Sequence, residues 1–198
     1  MKPLHPHTPD DVTVPAEWAP QKAIWTAWPA NVAEWGGDLA PARADVANMV
    51  RALSEHGSTV YVLASGAEAE ASAKAALGRA ARIVPAAYGD IWLRDTGCVF
   101  AKDGNTNIAH TFKFNGWGGK YDLGRDKELS AEMAKLSNVK ATQHNFVFEG
   151  GAIDHNGNGY WLTTAECLLN PNRNSQMTRA DYNKEFELLG AKDVCWIS

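Results

Sequence analysis

Apolar and polar positions along this chain fall into blocks whose period switches between two and about 3.6 residues, the signature of alternating strands and helices. The stretch "AIWTAW" (residues 23–28) reads as a buried strand closed by Pro29. In "APARADVANMVRALSEHG" the apolar residues Val46, Met49, Val50 and Leu53 recur on one helical face, and Gly57 is the stop. "STVYVLAS" is rich in β-branched and aromatic residues and predicts a strand. A short alanine-rich helix, "AEAEASAKAALG", and the strand "ARIVPAAYG" follow.

The next run, "YGDIWLRDTGCVF" (residues 88–100), is strand-like in its apolar content. It leads through the turn "AKDGNTN" into "IAHTFKFN", which predicts a hairpin. "GWGGKYDLG" is a glycine-rich loop, and "DKELSAEMAKLSN" a helix with Leu129, Met133 and Leu136 facing inward. "NFVFEGGAI" and "GYWLTTAE" form two strands joined by "DHNGNG". "TRADYNKEFELLG" predicts a helix with Thr178 as N-cap and Tyr182, Phe186 and Leu189 on one face, and "KDVCWIS" a final strand. The order predicts an α/β (α+β) fold of similar units without internal sequence identity. Residues 1–14 read as a flexible, proline-bearing leader, and residues 15–198 as one domain.

Composition narrows the function classes. A net charge of -4 and the lack of basic runs argue against nucleic acid and membrane surfaces as partners. No apolar run is long enough for a membrane span, and the N-terminus has no secretory h-region. The widely spaced Cys98, Cys167 and Cys195 fit neither a disulfide framework nor a zinc site, so a reduced, cytoplasmic protein is expected. Eight tryptophans in 198 residues supply packing, or an aromatic wall for a cation or sugar.

Several motifs fall short of a site. "DHNGNG" begins like a calcium loop, but its twelfth position is Ala165 and Glu166 comes one residue late, so a hairpin turn is expected and no metal. "GWGGK" lacks phosphate-loop spacing; its glycines serve a close approach to a ligand or to another backbone. Cys98 follows Asp95 closely, and a carboxylate there blunts a thiol as nucleophile. Cys167 and Cys195 read as packing residues.

The carboxylates are different. Asp90, Asp95 and Glu149 each lie beside a glycine or at a strand end. Arg94 is a ready neutraliser of Asp90 or Asp95. Trp92, however, can stack on a planar cation, and the turns "RDTG" and "EGG" clear space beside them. Carboxylates bind a guanidinium through paired hydrogen bonds.

Five stretches in order, "PAEWAPQKAIWTAWP", "GDIWLRDTG", "FNGWGGKYDL", "FEGGAIDHNGNG" and "LTTAECLLNPNRN", resemble the successive motifs of the agmatine deiminase and bacterial peptidylarginine deiminase family. The resemblance implies an α/β propeller of five ββαβ blades, of which this chain holds roughly three. It also implies hydrolysis of a guanidinium, agmatine first, to N-carbamoylputrescine and ammonia. Peptidyl-arginine and free arginine remain alternative substrates, and an inactive fragment that keeps only the carboxylates remains an alternative reading.

By the same resemblance, Asp95 and Glu149 are the catalytic carboxylates, and Trp92, Asp90 and Trp117 line the substrate. No cofactor is implied. The family's acid histidine and nucleophilic cysteine are expected beyond Ser198, and Cys98 and Gln21 depart from the residues usual at their positions. With the ring unclosed, self-association through bare blade surfaces is expected, around Trp161 and the helix bearing Tyr182 and Phe186.

Overall fold

The computed structural model describes residues 12–121 and 124–198. Most of the predicted leader (residues 1–11), and Asp122 and Leu123 of the glycine-rich loop, lie outside the described residues. The described end of the stretch read as a leader is part of the fold. β1 (Val12–Thr13) pairs antiparallel with β5 (Val99–Asp103), and Val12 and Val14 are buried.

Three sheets carry the chain. In the first, β2 (Ile24–Ala27), β3 (Val60–Ala64) and β4 (Arg82–Pro85) run parallel. The crossovers are α1 (Ala40–Glu55) and α2 (Ala67–Leu77), and their apolar faces meet this sheet in a core of Trp28, Val46, Val50, Val60, Val62 and Leu77. Parallel strands need such crossovers, which is why the helical periods fall between the strand periods in sequence. Met49 is exposed, against the expectation for α1. The buried positions of α1 are Ala42, Val46, Ala47 and Val50 instead.

The second sheet has the order β1-β5-β6-β7. β5 and β6 (Thr106–Lys113) form the predicted hairpin, and β7 (Lys140–Val147) joins β6 in parallel after α5 (Asp126–Leu136). β7 thus starts earlier and stops sooner than its apolar stretch predicted. "EGGAI" instead contains a 3-10 turn (Gly150–Ala152) and the short β8 (Ile153–His155).

The third sheet has the order β10-β9-β8, from β8, β9 (Tyr160–Thr164) and β10 (Asp193–Ile197). The turn between β8 and β9 is tied by Asn156, whose Oδ1 accepts from the backbone N–H of Asn158 and Tyr160. Two four-residue helical turns follow β9, α6 (Ala165–Leu168) and α7 (Pro171–Asn174); a third, α3 (Leu93–Thr96), precedes β5, and a fourth, α4 (Gly116–Gly119), follows β6. The last helix, α8 (Arg179–Leu188), starts at a full capping box between Thr178 and Asp181, as the N-cap reading of Thr178 anticipated.

The face on which self-association was expected is core. Trp161, Tyr182 and Phe186 are buried among Phe146, Phe148 and Leu189, with Trp161 and Phe186 ring centroids 5.2 Å apart. Strand alternation sends their neighbours outward: Tyr160, Leu162 and Ile197 are exposed, with Leu162 paired to Cys195 and Thr164 to Ile197. Cys195 is exposed as well, so it is not the packing residue its apolar segment suggested. Among the described residues no helix is long and apolar enough to cross a membrane.

Candidate active site

The strand-like run that holds Asp90 and Asp95 is not a strand. Residues 93–96 form α3, with the Asp95 and Thr96 amides donating to Trp92 O and the Gly97 amide to Leu93 O. A helical turn places Trp92 and Asp95 three positions apart, which a strand would have sent to opposite faces.

Asp90 is buried and fully engaged. Its Oδ1 accepts from Trp35 Nε1 at 3.1 Å and from the Ile91 amide at 2.8 Å, and its Oδ2 accepts from Trp92 Nε1 at 2.7 Å. Both oxygens are therefore spent on bracing indoles, and Trp92 stands half-exposed with its ring fixed at the N–H end. Trp35, in the 3-10 turn Val32–Trp35, is a participant that sequence reasoning missed.

Asp95 accepts from Trp117 Nε1 at 3.0 Å through Oδ2 and from the Gly151 amide at 3.1 Å through Oδ1. The Gly150–Gly151 backbone lies so close to α3 that a Cβ at Gly150 would collide with Arg94 O, and one at Gly151 with Asp95 Oδ1. These two glycines bring Glu149 beside Asp95 across 54 residues of sequence. Trp117 itself sits in the left-handed region (φ 55°, ψ 46°), between glycines that share it, with Phe114 and Tyr121 edge-on to its ring.

Glu149 is almost wholly buried. Arg173 Nε donates to its Oε1 at 2.6 Å, while Oε2 is out of solvent and has no hydrogen-bond partner. Burial pushes its carboxyl above the usual value; the charge and hydrogen bond of Arg173 pull it back, and Asp95 pushes it up again. Asp95 and Glu149 thus feel one another. Arg173 is the second residue that sequence reasoning missed.

Arg94 does not neutralise either aspartate. It pairs with Glu17 on the surface, tying the "AEWAP" segment to α3. The Cys98 and Cys167 thiols are poor nucleophiles. Burial pushes Cys98 up to about 12, so the protection expected from Asp95 is supplied by desolvation instead. Burial, with Glu149 and Asp95 nearby, also pushes Cys167 up.

A family model of the Porphyromonas-type peptidyl-arginine deiminases matches residues 13–198. The chain belongs to this family. Among its relatives, the agmatine deiminase of Stutzerimonas stutzeri (strain A1501) is 36% identical over 197 residues, covering 95% of this chain and 53% of that protein. The agmatine deiminase of Pseudomonas putida (strain F1) is 35% identical with the same coverage. Among solved structures, the agmatine deiminase of Enterococcus faecalis superposes with a TM-score of 0.87 at 25% identity, over 99% of this chain and 56% of that one. A cysteine-to-serine variant of the C. jejuni agmatine deiminase with substrate bound superposes with a TM-score of 0.83 at 26% identity, over 93% and 55%. The fold is therefore the mixed α/β fold of these deiminases, and the chain spans about half the length of the relatives it matches.

Proposed function

We propose that this chain carries the guanidinium-binding half of an agmatine deiminase. The observation that supports the reading is the approach of Asp95, held by Trp117 Nε1 and the Gly151 amide, to the buried Glu149, near enough for the Asp95 charge to raise the Glu149 carboxyl. Two carboxylates orient a planar cation and localise its charge, converting an encounter into a near-attack geometry. Asp95 is the first gripping carboxylate and Glu149 the second, Trp92 and Trp117 line the substrate, and Asp90 acts through the two indoles it braces.

The reaction is nucleophilic. A thiolate attacks the guanidinium carbon, the C–N bond breaks as an acid histidine protonates departing ammonia, and water hydrolyses the amidino-thioester to a ureido product and free thiol. In this reading the thiolate and the acid come from outside the described residues, in a ring of five ββαβ blades of which these sheets form part. Agmatine is preferred over peptidyl-arginine because the relatives at 35–36% identity are agmatine deiminases. The three unpaired cysteines fit a cytoplasmic enzyme.

Agmatine titrated into the 15N-labelled chain tests the reading. Amide resonances of Asp95, Gly151 and Trp117 are expected to shift, and Asp95→Asn to weaken binding at least about tenfold, the loss of a charge-assisted pair. Wild-type spectra that do not respond to agmatine, or an Asp95→Asn variant that binds as tightly, overturn it.

A further inference from the structure

Arg173 is held more firmly than a surface arginine needs to be. α7 starts at a fixed point, because Asn170 Oδ1 accepts from the Asn172 amide and Pro171 occupies the first helical position. Asn174 then clips the turn to the end of β7: its Oδ1 accepts from the Val147 amide at 2.9 Å and its Nδ2 donates to Val147 O at 2.8 Å. The clip lies two residues before Glu149, so the arginine and its carboxylate share one rigid frame. From the other side, Asn115 Nδ2 donates to Asn172 O at 2.9 Å, and α4 comes so close that a Cβ at Gly118 would collide with Arg173 Nη1 and Asn172.

The guanidinium fork is divided within this frame. Nε donates to Glu149 Oε1, and Nη1 donates to Asn172 Oδ1 at 2.8 Å. The side chains of Arg173 and Glu149 are only 11% and 4% exposed, so the pair is dry. A bidentate pair would consume both carboxylate oxygens; this one consumes Oε1 alone and leaves Oε2 short of a donor. A carboxylate with one clamped and one vacant oxygen, beside the independently placed Asp95, is arranged for one more N–H.

We propose, building on the guanidinium reading above, that Arg173 is a positioning residue of this site: it clamps Glu149 through Oε1 so that Oε2 is kept for an N–H of the substrate. Lysine cannot replace it, because a single ammonium on a flexible stem does not reproduce a fork divided between Glu149 and Asn172.

The test uses the 198-residue chain with 13C-labelled glutamate carboxyls, the Glu149 signal being assigned by its loss in Glu149→Gln. In Arg173→Gln the Glu149 titration midpoint is expected to rise by at least about one pH unit, since the charge and hydrogen bond that oppose the burial and the Asp95 charge are gone. Arg173→Lys is expected to give a smaller rise, and agmatine affinity at pH 7 is expected to fall at least about tenfold in both variants. Should Arg173→Gln fail to fold, the lysine variant, which keeps the charge, decides alone. A Glu149 midpoint and an agmatine affinity unchanged in folded variants overturn the assignment. A wild-type chain that binds no agmatine, while the midpoint still rises, overturns the guanidinium reading and leaves the hold of Arg173 on Glu149 standing.

Discussion

Two buried histidines couple the strands that lead into the site, and they make the fold acid-sensitive in a calculable way. His110 on β6 and His144 on β7 meet with Nδ1 and Nε2 2.9 Å apart, and His144 Nδ1 lies 3.1 Å from Glu185 Oε2 on α8. With His144 donating to the carboxylate, its Nε2 accepts from His110 Nδ1–H, and His110 Nε2 is a buried lone pair with no partner. Protonating His110 places an N–H where nothing accepts it. Burial, aided by His144, accordingly lowers its pKa to about 4 from 6.5.

The folded value lies below the unfolded one, so the unfolded chain takes up the proton first. Stability is complete above about pH 6.5, falls as the pH drops toward 4, and loses about 3 kcal/mol in all from this group. Urea unfolding at closely spaced pH values measures this, with His110→Phe as the comparison. At pH 7 the variant is expected to be less stable by about 1–2 kcal/mol, because His144 Nε2 loses its donor. It lacks the titrating group, however, so its curve is flatter, and the two converge and cross toward pH 4. Parallel curves from pH 7 to pH 4 would refute the reasoning.

The 198-residue chain by itself is expected to release no ammonia from agmatine, because the proposed mechanism draws its thiolate and acid from outside the described residues, and burial raises the Cys98 and Cys167 thiols; a coupled ammonia assay checks this, and turnover abolished by Cys98→Ser would force another mechanism. Self-association is expected through the outer face of the third sheet, which bears Tyr160, Leu162 and Ile197. Sedimentation should show it weakened by Leu162→Lys, and a wild-type chain that stays monomeric at high concentration would remove the expectation.

Long periodic segments were legible because periodicity is their cause: α1, α2, α5 and α8 and most strands lie where the apolar spacing put them. Asp95, Glu149 and Trp92 stood out in the sequence as two carboxylates near glycine turns and an indole able to stack on a cation, whereas Trp117 came from the family resemblance alone. The four-residue turns were not, since one helical turn has no period to read; α3 therefore passed for a strand, although an acidic pair in a strand was itself a warning. Arg173 was hidden in "NPNRN", where Asn170 and Pro171 do announce a helix start. Nothing local says that an arginine one turn later meets a glutamate 24 residues back. Trp35 was lost similarly, because its partner Asp90 is 55 residues away.

The left-handed backbone at Trp117 has a consequence for how this site can be inherited. That conformation suits glycine or asparagine and costs an L-residue with a large side chain on the order of 1–2 kcal/mol. The indole N–H, by contrast, is what meets Asp95. A library of this chain selected for thermal resistance alone should drift to glycine or asparagine at 117, and the winners should be blind to agmatine. If Trp117 lines the substrate as proposed, position 117 is where durability and recognition pull the chain in opposite directions.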